Sequence, residues 1–457
     1  MSGVDTLNIA KDSLLSHQTA INLTGTNIAN ANTVGYSRQR AVFSTLVQSV
    51  EIAGIERIYD QFLGVQINEQ ANDLGDSEAK KDGLGRIEMI FNESGGGGIN
   101  ELLSKFWGAW EDLSANPSGQ AERLTLSSVS QSLASMFRSY GDDLIAAQND
   151  ANSRVASLVV QVNSYVSDLA DINDRIAQSG GSAADSPDMN SLKDRQENIL
   201  SNLAGIVDFH YTRNADDSIS VFLSSGMPLV DGGQNWALDV VTDDETSFYN
   251  VVFEDTPTVE INSSLTKGSL AAFLEIRDTT AVGYIQSLNT LAATLVDQVN
   301  TQHALGYDLN QDLGGDFFYF DVSPEVQEAR YMKVSADIIA DTNKIAASAT
   351  VNGDGENAVT MSGIKDALTM SSGTSTFSSY YSALVGEIGQ DVEYVDRSFD
   401  HYTDLMTQLT NKREEVSGVS IDEEMMSLIK YQTGYNASAR LFTAAEELAD
   451  TLMSLVQ

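Results

Sequence analysis

Apolar residues recur every seven positions at both ends of this chain. Near the start they are Leu7, Leu14, Ile21 and Ile28, and near the finish Leu441, Leu448 and Leu455. Phe442, Ala449 and Val456 follow one position behind the second set. A spacing of seven keeps side chains on one side of a helix, and such a stripe needs another helix to cover it. A globular domain seldom reserves both termini for one another. A subunit that polymerises through a terminal coiled coil does so routinely. The ends therefore argue for assembly rather than catalysis.

The 457 residues admit roughly two to four domains with ample core. At 42% hydrophobic, the chain as a whole is not intrinsically disordered. Cysteine is absent, which excludes disulfides, thiolate metal sites and a cysteine nucleophile. That absence suits a protein exported unfolded and working outside the cell. The first ten residues carry no Lys or Arg, and no apolar block of signal-peptide length follows. No run approaches a membrane span of about 20 apolar residues. Export would need a route that reads something other than a cleaved signal, and membrane insertion is not expected.

Lys and Arg number 26 against 65 Asp and Glu, a formal net of −39. Nucleic acid and anionic membranes would both repel such a surface. Residues 1–40 hold three basic and two acidic side chains, a net of +1, and residues 421–457 hold two and six, a net of −4. Most of the acidity lies between. Either packed termini avoid charge while a solvated exterior tolerates it, or the whole surface suits salty water.

The first helix is expected over about residues 4–30, stopped by the Asn- and Gly-rich string Asn27 to Tyr36. Arg38 to Ile58 alternates like strand, with Val42, Leu46, Val50 and Ile52. Helical periodicity then runs from about Tyr59 to Leu203, broken at Gly95–Gly98. Within it, Leu103, Phe106, Trp107, Trp110 and Leu113 share a face. Paired tryptophans suggest a sugar platform, but this spacing reads as core. Residues 145–177 read as one long amphipathic helix. Between 205 and 268 the pattern turns to strand, with Ile219, Val221, Leu223, Val259 and Ile261 alternating with polar neighbours. This insert carries two basic and eleven acidic residues, a net of −9. Helix resumes at Ala271, an irregular stretch covers about 306–375, and a long helix covers about 379–415. After Gly418, Ser420 and Glu423 form a capping box for the terminal helix.

The expected architecture is an α+β multidomain fold. Its terminal coiled coil joins 1–40 with 421–457, its mainly helical middle joins 41–204 with 269–420, and its β-rich insert is 205–268.

The chain lacks the marks of an enzyme. Its histidines are His17, His210, His303 and His401, and none has another at ligand spacing. HExxH, G-x-S-x-G, the P-loop and G-x-G-x-x-G are missing. Asp308, Asn310 and Asp312 begin like a calcium loop, but Leu313 stands where glycine is needed and Tyr319 where glutamate is needed. No catalytic residue, metal site or cofactor is expected. His17 lies on or near the apolar stripe, where a pH switch competes with an ordinary satisfied interface histidine.

Four blocks, in order, carry a resemblance. Asn27-Ile-Ala-Asn-Ala-Asn-Thr-Val-Gly-Tyr-Ser-Arg-Gln39 is similar to the signature of flagellar rod, hook and junction subunits. Glu56 to Leu63 and Phe106 to Pro117 resemble segments particular to the bacterial flagellar hook–filament junction proteins, the first hook-associated proteins. Ser417 to Glu424, with Tyr431, Gln432 and Tyr435, resembles the C-terminal signature of axial subunits. The chain departs from the family at Val34, where proline is common, and its 320–375 stretch is short for an outer domain.

The resemblance implies a structural adaptor on the bacterial flagellum, secreted by the type III export apparatus. Copies of itself would form a ring between hook protein and the second junction protein. It implies an export chaperone on Leu441, Phe442, Leu448, Leu452 and Leu455, residues that would aggregate if left bare. The expected assembly interface comprises Leu7, Leu14, Ile21, Ile28, Asn30, Asn32, Gly35, Tyr36, Leu428, Tyr435, Leu441, Phe442, Leu448, Leu452 and Leu455. Both ends are expected to be largely unfolded in the free monomer, since neither stripe has a partner there. The rivals are another axial subunit, such as the second junction protein or flagellin, and a secreted adhesin using the β insert.

Overall fold

The computed structural model describes residues 3–46, 49–93, 97–179, 186–322, 328–351 and 353–456. The chain opens with α1 (Gly3–Ala29). The strand-like stretch is an antiparallel hairpin of β1 (Gln39–Leu46) and β2 (Ser49–Arg57), with a bulge between Val42 and Phe43. α2 (Gln61–Phe91) starts at Asp60, whose carboxylate accepts from the N–H groups of Phe62 and Leu63. α3 (Ile99–Ala115) follows the glycine run, in which residues 95 and 96 lie outside the described set.

The helix expected at 145–177 is part of a longer one, α4 (Gln120–Ser179). Its 60 residues span roughly 90 Å at 1.5 Å each. Gly141 does not break it. The missing side chain instead leaves room for Arg330, which would lie 3.0 Å from a Cβ there. α5 (Pro187–Ala204) begins with Ser186 as cap and Pro187 in its first turn.

The β-rich region holds two antiparallel sheets. β3 (Phe209–Arg213), β4 (Ile219–Leu223), β5 (Pro228–Asp231) and β6 (Gln234–Asn235) lie in that order, and β7 (Leu238–Thr242), β8 (Tyr249–Phe253) and β9 (Thr256–Glu260) form the second sheet. α6 (Gly268–Glu275), a π-turn at Ile276–Thr280 and α7 (Ala281–His303) follow end to end. The last helices are long, and here they are α8 (Phe377–Ser417), capped by Thr376, and α9 (Ile421–Val456).

Two large apolar clusters hold the body. The first gathers the end of α2, α3, the start of α4, α7 and α8, with Phe106, Trp110, Phe137 and Leu288 fully buried. Trp107 and Trp110 are core, as their spacing implies. The stretch read as irregular also feeds this core, through Phe317, Phe318, Met332 and Met361. The second cluster joins the far half of α4, α5, both sheets and α6 through Val166, Leu200, Val221, Val251 and Phe273. A third is small: Ala20 and Leu23 of α1 meet Ala41 and Ile55 of the hairpin. A fully buried large aliphatic or aromatic side chain stabilises by about 1.5–3 kcal/mol. A cluster this small cannot hold the terminal region alone, so polar pairs carry much of its definition.

Candidate assembly interface

α1 and α9 pair antiparallel. Asn27 near the end of α1 bonds Glu424 at the start of α9, and His17, further back, faces Tyr431. The most buried residues of α1 are Ala10, Ser16, Ala20, Leu23, Thr24 and Asn27, and those of α9 are Glu424, Ser438 and Ala445. The seam is therefore built of small and polar residues. Small side chains let the helix backbones approach, and the larger ones lie along the flanks.

The helix stop at Asn27–Tyr36 forms as expected, and its residues turn inward on α9. Asn30 donates to the Thr26 carbonyl at 2.9 Å and accepts from the Thr33 hydroxyl at 3.2 Å, closing the end of α1. Gly35 has a φ of +81°. A Cβ there would meet the Asn198 amide at 2.1 Å. The chain can then bring Tyr36 back so that its hydroxyl donates to Asn27 Oδ1 at 2.8 Å. Asn27 Oδ1 also accepts from the Gln39 N–H at 3.1 Å, and its Nδ2 donates to the Gln39 carbonyl at 2.9 Å and to Glu424 at 3.0 Å. Both lone pairs and both N–H groups of this buried amide are thus assigned to segments of the terminal region.

Arg38 bridges the two ends of the sequence. Its Nε donates to Glu424 and its Nη1 to Glu423, each at 2.7 Å. Its N–H donates to the Ser417 carbonyl at 2.8 Å. Glu423 is thereby drawn away from the reciprocal capping box. Ser420 Oγ accepts from the Glu423 N–H only at 3.5 Å. Burial first, then Asp194 and Glu424, push the Tyr36 pKa up to about 12, so its hydroxyl stays a donor.

A second polar group ties this region to the body. Asp194 on α5 accepts from the Ser37 N–H at 3.1 Å and from Arg57 of β2 at 2.9 Å. Arg57 also stands 4.1 Å from the centre of the Tyr59 ring. Asn190 of α5 donates to the Ile55 carbonyl at 2.7 Å.

The anticipated interface residues divide by position. Leu7, Leu14, Ile21 and Ile28 are half-buried along one flank of the seam, as are Asn30, Gly35, Tyr36, Leu428, Tyr435 and Phe442. Asn32 is exposed. Leu441 and Leu448 point outward, 43% and 62% exposed. Leu452 and Leu455 lie on α9, but their side chains fall outside the described residues. Asn27, Gln39, Asp194 and the Arg38–Glu423–Glu424 group were not singled out as interface residues. Asn27, Arg38, Glu423 and Glu424 lay inside the recognised blocks, whereas nothing in the sequence marks Asp194.

The calcium-like start is an Asx turn. Asp308 Oδ1 accepts from the N–H groups of Asn310 and Asp312 at 2.7 and 2.9 Å. Among the described residues no group of His, Asp and Glu is placed to hold a metal ion, and no helix is long and apolar enough to cross a membrane. His303 is structural: its Nε2 accepts from the Ala346 N–H at 2.8 Å, and its Nδ1 donates to the Gly315 carbonyl at 2.6 Å. Burial lowers its pKa to about 4.

Comparison with known proteins adds sequence-wide similarity. A family described as the flagellar hook-associated protein FlgK helical domain matches residues 84–318, and the flagellar basal body rod FlgEFG protein C-terminal family matches residues 411–455. Flagellar hook-associated protein 1 of Bacillus subtilis is 27% identical over 502 aligned residues, covering 98% of this chain and 97% of that protein. Its counterpart in Escherichia coli is 23% identical over 545, covering 98% and 99%. The solved structure of the flagellar hook junction protein FlgK from Burkholderia pseudomallei has a TM-score of 0.68 at 17% identity. It covers 77% of this chain and 100% of that one, and the likeness is one of fold.

Proposed function

We propose, for a chain that belongs to the FlgK family of flagellar hook-associated proteins, the role of structural adaptor between hook and filament. Copies pack side by side into a ring through a unit made of residues 1–40 and 421–457, contacting hook protein on one side and a second junction protein on the other. The single observation that carries this reading is the state of the terminal pair. α1 and α9 close on each other, yet α9 still exposes Met425, Met426, Ile429, Leu441 and Leu448, and α1 exposes Leu15. Large apolar side chains left exposed at several places along a helix pair mark it as a surface for a further partner.

The remainder of the reading rests on membership of the FlgK family together with the exposed Leu441 and Leu448. Before assembly, an export chaperone covers the Leu441, Phe442, Leu448, Leu452 and Leu455 region of α9. The type III apparatus then carries the chain out to the extracellular part of the flagellum. The test is electron microscopy of cells lacking this gene, with filament protein assayed in the medium. Bare hooks and shed filament monomer are expected. Normal filaments would overturn the adaptor role and favour the adhesin reading.

A further inference from the structure

β3 is an end strand of its sheet, with β4 on one side and no strand on the other. Which of its backbone groups face outward follows from the alternation of an antiparallel ladder. The Asn214 N–H donates to the Ser218 carbonyl at 2.8 Å, so in register Thr212 and His210 spend their groups on β4. Phe209, Tyr211 and Arg213 then aim theirs at the free edge. The partner strand agrees: Ile219 and Leu223, opposite Arg213 and Phe209, turn away from β3 to bond Asn173 and Met227. A bare edge invites another strand, and the other edges of this region are managed. β6 is two residues long, β9 carries Pro257, and Asn163 of α4 bonds both the N–H and the carbonyl of Leu238 in β7, at 2.8 and 2.7 Å. β3 has five residues and no proline.

The free edge opens on a groove of about 700 Å³ between β3 and one face of α2. That face contributes Val65, Asn68, Glu69, Asn72 and Asp73, at helical spacing. Asn68 and Asn72 are 9% and 5% exposed. Asn72 Nδ2 donates to the Ala204 carbonyl at 2.7 Å, but Asn72 Oδ1 and Asn68 Nδ2 have no hydrogen-bond partner. The wall opposite the bare edge thus keeps one acceptor and one donor unspent. They stand one helical turn apart, about 6 Å, close to the two-residue repeat of an extended chain, about 6.7 Å. A strand in the groove would turn the backbone groups of every second residue to β3 and the others to α2, where a rotation of each amide meets them. The groove also carries surplus negative charge. Lys267 bonds Asp73 and Arg213 bonds Glu197, at 2.7 and 2.9 Å, so both cations are already paired. Glu69 and Asp208 are in no ion pair among the described residues, and Asp208 accepts from the hydroxyls of Ser224 and Thr266 at 2.6 and 2.9 Å.

We propose that this groove takes an extended segment of a partner protein, free of proline and carrying Lys or Arg, which adds to the free edge of β3 as a further strand. A second copy of this chain fits less well. It brings a net charge of −39, and β9, exposed along its length, contains Pro257. The site lies outside residues 1–40 and 421–457, so it stands or falls separately from the assembly unit.

The probe is a capped octapeptide of alternating lysine and valine, set against a counterpart with glutamate for lysine. Amide hydrogen exchange of the full chain, followed by nuclear magnetic resonance, is the readout. At about 1 mM the lysine peptide should slow exchange at Phe209, Tyr211 and Arg213 roughly tenfold, as a dissociation constant of about 0.1 mM gives. The glutamate peptide should leave those rates nearly unchanged. Tyr211→Pro removes the central outward N–H at an edge position where proline is tolerated, and should abolish the slowing at Phe209 and Arg213. No slowing by the lysine peptide, or equal slowing by both peptides, would overturn the proposal. So would binding that survives Tyr211→Pro. Should that variant not fold, a lysine peptide N-methylated at alternate amides decides on the wild type: lost protection supports strand addition, and retained protection defeats it. Slowing that grows with protein concentration in the absence of peptide would give the groove to a second copy instead.

Discussion

Asn27 and Glu424 are 397 residues apart and share a buried hydrogen bond of 3.0 Å. Glu424 also receives Arg38, so one carboxylate holds both the end of α1 and the turn that follows it. Its side chain is 4% exposed and that of Arg38 is 24% exposed. Such a pair defines where the helices start in relation to each other, even where its net contribution to stability is modest.

Removing the carboxylate should cost more than the pair is worth, because its partners are left behind. Glu424→Ala is expected to weaken the terminal pair by about 2 kcal/mol. Hydrogen exchange of α9 reads this directly. Unchanged protection there would show that the small apolar seam suffices alone.

Gly35→Ala tests the turn. A side chain at a φ of +81° costs about 1–2 kcal/mol, and the new Cβ must also displace the Asn198 amide. The denaturation midpoint should fall accordingly. A midpoint equal to wild type would mean that the turn relaxes without penalty.

The helices were legible because their apolar periods are long and their stops are strong. The Asn-rich string marked the end of α1, and Gly418 separated α8 from α9. The seam itself was less legible. Leu441 and Leu448 gave the loudest heptad, yet they point outward, while Ser438 and Ala445 face α1. Periodicity locates a stripe but does not say whether a helix of the same chain or another molecule covers it. Ser and Ala carry little weight in an apolar pattern, although close helix approach depends on them. The 306–375 stretch was unreadable for a related reason. Its core residues are delivered by short turns and strands, too brief to establish a period.

Tyr36 supplies an alkaline signature. Its raised pKa means that the neutral phenol stabilises the folded form fully below pH 10, and this is lost as pH rises through about 12. A spectrophotometric titration of wild type against Tyr36→Phe should lose one phenol titrating near 12. A missing phenol with its midpoint at 10 would disprove the buried hydrogen bond to Asn27.

Leu448→Asp and Phe442→Asp separate assembly from pairing. Leu448 is 62% exposed, so its aspartate should leave the single chain folded and still block incorporation into the flagellum. Phe442 is half-buried, and its aspartate should loosen α9 as well. Immunolabelling of junctions and circular dichroism of the purified variants check the two effects. Normal incorporation of Leu448→Asp would remove that flank from the assembly surface.

The antiparallel pairing has a consequence for how the chain is made and delivered. α1 is synthesised first, and the helix that covers it comes last. A product truncated anywhere before residue 421 has no α9 and cannot close. The joining of first and last helices therefore doubles as a check on completeness: only a chain that carries both α1 and α9 can close the terminal pair.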